Sequence, residues 1–430
     1  MARHKKKQSR QSRDKLADAH RRNEFFFKLN YLVTALTGDP SVFRLIPQSE
    51  YRRIFLLRMR AVRVAVDKDC AMPQPDFNFV NHFLISSLKT NTVVFTSGGP
   101  KITLDMFFTV GMSLFLYLGI LTENEYPTAK VLINALKAVT AETNQKGERE
   151  VANIILDELE TVNKIIPNML NDFRNMIYWV ELYIESETAF YPVAYYQYKI
   201  YSYRPKIMHM VVDGISRPAY ELCFGDWYKG LVKLKIHSQR LGISGKEYPE
   251  QLPVFIQTHA IYRLYERMDC ARGFMFWSSV IQSMLEVKYC KGPHNTILFD
   301  FVLLSKKVGY LVASIQQGVV LIQSFLLITN SGTPEGDRLA SATKLKKPDK
   351  EYLSIDKLSA FYASDIPDNP EVKKLFIDAG CTDLFDLDPY YMQKGSLDQK
   401  KPLADKIRAY LNYTRADEDM ETYRKEQMPG

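Results

Sequence analysis

Val254-Phe255-Ile256-Gln257-Thr258-His259-Ala260-Ile261-Tyr262-Arg263-Leu264-Tyr265-Glu266-Arg267 joins a short apolar run to a segment that cannot continue it. Val254 to Gln257 has the length and apolar character of a buried strand, and a helix follows from His259. A second helix is predicted over Phe276 to Val287. Three apolar runs come next, Thr296 to Leu304, Val308 to Ile315 and Val319 to Thr329. Lys306-Lys307 and Gln316-Gln317-Gly318 separate them as predicted hairpin turns. The order is helix, then antiparallel sheet, within a unit of residues 252–339.

The opening helix carries the most chemistry. His259, Arg263 and Arg267 recur at i, i+4 and i+8, a spacing that predicts one cationic stripe. Such a stripe facing a phosphodiester would supply an imidazole for proton transfer and guanidinium groups for developing phosphorane charge. The competing reading is a helix-start histidine with two arginines in surface ion pairs, Glu266 being a nearby carboxylate. Thr258-His259-Ala260 followed by Arg263 and Arg267, then a strand containing Gly309, then a strand ending in Ile328-Thr329, resembles the RelE-like and BrnT-like ribonuclease superfamily. That resemblance covers residues 252–339. It implies a small helix-plus-sheet module with a metal-independent ribonuclease site, to which His259, Arg263, Arg267 and Thr329 would contribute as catalytic residues. A working site would bring His259, Arg263 and Arg267 into one open cleft with Lys306, Tyr310 or Thr329.

Outward from this module, Thr329 to Arg338 is dense in turn formers and reads as a loop, either an ordinary strand exit or an anion-binding nest of amides and hydroxyls. Residues 344–430 are charged and proline-rich, with short helices predicted over Asp356 to Ala363, Pro370 to Ala379 and Pro402 to Tyr413. They read as an accessory helical segment. On the other side, residues 176–343 form an α+β module that opens with an aromatic, β-favouring stretch from Tyr178 to Tyr203. Tyr195 to Tyr203 and Met208 to Val212 are predicted strands, and Asp213-Gly214 is a turn-forming pair. These aromatics read as core and edge packing, with base stacking as the alternative.

Residues 23–175 read as mainly helical. A helix is predicted from about Arg13 to Leu36, ended by Gly38-Asp39-Pro40, and others over Glu50 to Val66, Phe77 to Leu88, Thr128 to Thr143 and Glu148 to Ile166. Val93 to Phe95 precedes a turn at Gly98-Gly99-Pro100. The uncharged run Met106 to Leu121 falls short of the ~18 residues of a spanning helix, so a buried core helix is the expectation. The fold class expected for the chain is α+β.

Charge is unevenly placed. Residues 1–22 hold nine basic residues against Asp14 and Asp18, a surplus of seven, whereas the whole chain carries a net charge of +8. The remainder is therefore nearly neutral in sum. A segment built on Arg3, Lys5, Lys6, Lys7, Arg10 and Arg13 has no apolar residue to bury and reads as a flexible basic tail. Its natural partner is nucleic acid, RNA in the light of the resemblance, with an acidic protein surface, an anionic membrane surface or simple solvation as alternatives. Arg52, Arg53, Arg58, Arg60 and Arg63 either extend that footprint or form a solvated helix face.

Apolar residues at 46% and charged residues at 25% are ordinary for a globular chain. Five scattered cysteines without a C-x-x-C pair argue against a disulfide scaffold or structural zinc. No secretory leader pattern is present, which points to the cytoplasm. P-loop, dinucleotide, zincin and esterase motifs are absent, so no cofactor, metal or small-molecule substrate is expected.

Overall fold

The computed structural model describes residues 2–58, 60–94, 100–142, 165–166, 168–186, 194–226, 228–243, 248–393 and 400–412, with the backbone alone over residues 2–18, 60–61, 93, 138–142, 184–186 and 194–196. Helices and mixed sheets share the chain, and the fold is α+β. The chain divides into two compact units, residues 1–163 with 179–202 and residues 164–178 with 203–430. This division cuts across the boundary near residue 175 expected from composition.

The first unit opens with α1 (Ala2–Thr37). The helix starts well before Arg13, its predicted beginning, because Lys, Arg, Gln and Ala are good helix formers whatever their charge. The expected tail thus has a helical backbone. Phe25, Leu29, Leu32 and Val33 form the buried face of α1. Gly38 then adopts a φ of 71° and returns its amide to the carbonyl of Thr34, a left-handed helix stop.

The helix expected over Glu50 to Val66 is corrected. Only α2 (Tyr51–Leu56) is helical, and β1 (Arg60–Val66) follows as a strand. Val62, Val64 and Val66 alternate with Arg63 and Ala65, a period of two that favours the pleat over a helix. Next come α3 (Gln74–Thr90), the hairpin of β2 (Thr92–Val94) and β3 (Lys101–Thr103), and a helix that begins at α4 (Leu104–Met106). It passes through a π-type turn over Phe107–Gly111 into α5 (Met112–Ile120). Phe107, Phe108, Val110, Leu114 and Tyr117 are buried there, as a core helix requires. Among the described residues no helix is long and apolar enough to cross a membrane.

The unit continues with α6 (Ala129–Glu142). The helix expected over Glu148 to Ile166 lies almost wholly outside the described residues. A three-stranded sheet closes the unit, in the order β1, β5 (Ala194–Tyr203), β4 (Ile177–Ser186). β1 and β5 run parallel, with Val64 opposite Tyr198 and Val66 opposite Ile200.

The second unit is built on an eight-stranded sheet. β6 (Ile207–Val212) and β7 (Ile215–Glu221) pair across Asp213 and Gly214, whose φ angles of 51° and 75° make the left-handed hairpin turn expected there. A short hairpin of β8 (Cys223–Asp226) and β9 (Gly230–Lys233) lies apart from this sheet, and β10 (Lys235–His237) pairs with β11 (Gln251–Gln257). Then come α7 (Thr258–Arg267), α8 (Phe276–Glu286), β12 (Tyr289–Lys291), β13 (Ile297–Leu303), β14 (Lys306–Gln316) and β15 (Val319–Leu327). β11 runs parallel to β15, with α7 packed on β15 and α8 on β13. Gln317-Gly318 forms the expected turn. The other hairpin turns at Leu304-Ser305, not at Lys306-Lys307, which already belong to β14.

The C-terminal segment is not accessory. After α9 (Pro334–Thr343), α10 (Lys347–Tyr352), α11 (Ser359–Tyr362) and α12 (Pro370–Asp378), a further helix covers residues 403–412. Leu353, Ile355, Leu358, Phe361, Phe376 and Leu384 join Phe299, Phe301 and Phe325 of the sheet in one hydrophobic core. Short helices spaced by prolines bury apolar residues here, Leu339 from α9, Ala360 and Phe361 from α11, and Val372 and Phe376 from α12.

Candidate functional site

The catalytic candidates of α7 and Thr329 differ in burial and in partners. α7 buries Ala260, Ile261, Leu264 and Arg267 on one face. Eight residues exceed two turns of 3.6, so Arg267 has rotated away from His259 into that buried face. Arg267 is 3% exposed and faces Asp356 at 3.5 Å. Burial lowers the pKa of its guanidinium and raises that of the Asp356 carboxyl, and on each partner desolvation outweighs the attraction of the other. Arg267 Nε and Asp356 Oδ1 lack hydrogen-bond partners, which marks the pair as an incompletely satisfied buried ion pair.

Arg263 is held by Glu266 at 2.6 Å on the partly exposed side of α7. His259 is half-buried, and its pKa is lowered first by burial and then by Arg217 and Arg263, with Glu266 opposing. Thr329 is fully buried and donates its hydroxyl to the carbonyl of Ile355 at 2.6 Å. Lys306 pairs with Asp386 at 3.4 Å, and Tyr310 donates to Glu335 at 2.9 Å. Arg263, Arg267, Thr329, Lys306 and Tyr310 each have their own local partner. The Thr329 to Arg338 loop is likewise shorter than expected, since α9 begins at Pro334. Its amides are used internally, Gly332 N–H by Asp337 at 2.8 Å and Gly336 N–H by the Thr333 hydroxyl at 3.0 Å.

The histidine still has a measurable signature. A histidine whose folded pKa lies below its unfolded value of about 6.5 favours the unfolded chain as protons are added. Its neutral form is fully compatible with the fold above that value, and stability falls as pH drops through the window below it. His259→Gln is therefore expected to flatten part of the loss of stability on acidification below about pH 6.5. Urea midpoints of both proteins across that window test this, and parallel pH profiles would refute it.

A cavity of about 580 Å³ lies instead in the first unit, lined by Arg21, Phe25 and Lys28 of α1, Phe55 of α2, Arg58, Arg63 of β1 and Thr109 of the π-type turn. Its size is that of a small-ligand site. Four basic side chains face it, against the single carboxylate of Glu24. Glu24 bonds Lys28 at 2.9 Å, which lowers its pKa and keeps it ionised. Arg58 lies over the Phe55 ring, 3.6 Å from its centroid, and donates to the Phe55 carbonyl at 2.6 Å. Stacking and a backbone bond together fix a guanidinium at the rim.

The basic lining is continuous with the N-terminal helix. Positions 3, 10, 21 and 28 lie two or three whole turns apart along the α1 backbone. The helix therefore aligns the positions of Arg3 and Arg10 with those of Arg21 and Lys28. Lys5, Lys6, Lys7 and Arg13 belong to the same helical segment, and their side chains lie outside the described residues. Arg58 and Arg63 are among the residues that the sequence suggests as an extension of the basic footprint, whereas Lys28 is one that sequence reasoning missed. The signal for it is the recurrence of basic residues at whole-turn spacing beyond position 22.

All five cysteines are free thiols, and burial pushes those of Cys223, Cys270 and Cys381 up to about 12. These three are structural rather than reactive side chains. Comparison with family models, with curated proteins and with solved structures returned no match.

Proposed function

We propose that the protein binds nucleic acid, RNA in preference, through the basic face of its first unit, while the central sheet module serves as a scaffold. The observation that carries this reading is the cavity lined by Arg21, Lys28, Arg58 and Arg63, beside a helix whose first turns are basic. Guanidinium groups suit phosphate oxygens because they are planar, permanently charged and able to donate two bonds at once. The scaffold assignment follows from the separate partners of Arg263, Arg267 and Thr329.

Binding of a fluorescein-labelled oligouridylate, read by anisotropy at increasing salt, tests the proposal. Wild-type affinity is expected to fall linearly in logarithmic terms with salt, and the double variant Arg58→Gln, Arg63→Gln to lower the slope by about 0.7 for each phosphate no longer neutralised. Removal of residues 2–22 is expected to lower it further. Affinity insensitive to salt, or unchanged slopes in both variants, would remove the first unit as the binding face.

A further inference from the structure

The three-stranded sheet of the first unit presents two unlike faces. On one, Val62, Val180, Tyr198 and Ile200 are buried, at 7%, 0%, 3% and 0% exposure. On the other, Arg63 of β1 stands opposite Gln197 of β5, and Lys199 and Tyr201 follow at alternate positions. β4 adds Trp179, which is itself buried at 7% exposure, with Glu181 and the exposed Tyr183 to that face by the same alternation. The aromatic run that reads from sequence as packing is thus divided between the two faces.

The aromatics of the second face are fixed in place. Tyr201 stacks on Trp179, with ring centroids 5.3 Å apart and planes 17° from parallel. Its hydroxyl donates to the Tyr183 hydroxyl at 2.8 Å, and Tyr183 in turn donates to Glu181. Trp179 donates its indole N–H to the same carboxylate at 2.8 Å. Lys199 lies 5.3 Å from the Tyr201 centroid and 5.8 Å from that of Tyr183, and is paired with Asp67 at 2.8 Å. Tyr183 keeps 39% of its surface exposed within this network. A rigid, exposed, hydrogen-bonded ring beside a cation offers binding area without the entropy cost of ordering it on binding.

Arg63 belongs both to this face and to the basic cavity. From Gln197, opposite Arg63, to Tyr201 the strand advances about 13 Å. We infer that this face of the sheet is a stacking platform for unpaired bases, so that the first unit selects single-stranded RNA over duplex. This rests on the nucleic-acid reading of the same unit. Phosphates would follow the β1 side, where Arg63 and the cavity lie, and bases the β4 side, where Tyr183 is exposed. The Glu181 carboxylate repels phosphate and accepts hydrogen bonds, which suits it to the base side. Duplex RNA keeps its bases stacked within the helix and cannot use the platform, while single strands offer a π-face at every residue.

The experiment compares labelled oligouridylate and oligoadenylate with an equally long RNA duplex, using the full chain. Wild type is expected to prefer the single strands by roughly tenfold or more. Tyr183→Ala is expected to lose about that factor for single strands and little for duplex, Tyr183→Phe to stay within about twofold of wild type, and Arg63→Gln to weaken both ligands. Thermal melts of each variant establish that the fold is intact. Equal wild-type affinity for single strand and duplex overturns the platform. So does a folded Tyr183→Ala that binds single strands like wild type while Arg63→Gln weakens them, an outcome that leaves the cavity reading standing. Absence of binding to every RNA overturns both.

Discussion

Arg267→Ala is expected to cost about 3–5 kcal/mol of stability, read as a shift of the urea midpoint at neutral pH. The loss arises on the partner. Asp356 is 7% exposed, its Oδ1 has no hydrogen-bond donor, and burial already raises its pKa against the pull of Arg267. Without the guanidinium a carboxylate is left charged in a site that does not solvate it, and its pKa rises further. A carboxyl whose folded pKa exceeds its unfolded value of about 3.9 stabilises the folded state as protons are added. The deficit relative to wild type should therefore be largest at neutral pH and shrink as pH falls through the raised Asp356 pKa. A loss caused by missing side-chain volume alone would be the same at every pH, so a constant deficit would refute the electrostatic origin. The double variant Arg267→Met, Asp356→Leu is expected within about 1 kcal/mol of wild type or above it, because two apolar groups replace a pair that never recovered its desolvation cost. The same logic separates structure from function in α7, whose third cation is a buried link between the helix and the segment before α11.

What could be read from the residues depended on whether the signal was local. β11, α8, β13, β15 and the Asp213-Gly214 turn were legible because apolar runs and left-handed turn residues announce themselves within a few positions. β1 was not. Arg60, Arg63 and the apolar residues around them fit a helical period nearly as well as a strand period, and the parallel pairing with β5 that decides the matter lies more than a hundred residues away. Leu304 and Ser305 adopt φ angles of 51° and 63°, a hairpin turn written in residues that do not advertise one. Arg267 looked equivalent to Arg263 because the pattern i, i+4, i+8 neglects the rotation left over after two turns. Its partner, Asp356, sits in a segment that composition marked as peripheral and that the structure places in the core. The basic cavity draws Arg21, Phe55, Arg63 and Thr109 from four separate elements, so no linear motif could have contained it.

Gly336→Ala is expected to destabilise the second unit by more than about 4 kcal/mol, the range reserved for changes that force backbone apart in a core. A Cβ at position 336 would overlap the Asn330 carbonyl oxygen and lie 2.6 Å from its carbon and 2.7 Å from the Thr333 hydroxyl. Neither side can yield easily. The Asn330 carbonyl accepts from the Thr333 hydroxyl at 2.8 Å, and that same hydroxyl caps the helix by accepting from Gly336 N–H at 3.0 Å. On its other side, the Gly336 carbonyl accepts from Lys350 Nζ at 2.7 Å, and Lys350 also holds the Thr329 carbonyl at 3.0 Å while 1% exposed. Relief of the clash must break the Thr333 cap, worth about 1 kcal/mol, or pull a buried ammonium from its acceptors at about 1–3 kcal/mol for each group left unsatisfied. Gly119→Ala is the matching control, because a Cβ there meets nothing within 4 Å and the position lies inside α5. Alanine should be neutral or stabilising there by up to about 1 kcal/mol, through the lower entropy of the unfolded chain. Urea titration of both variants gives the comparison, and a Gly336→Ala protein within about 1 kcal/mol of wild type would show that the 329–336 turn is less tightly determined than its hydrogen bonds imply.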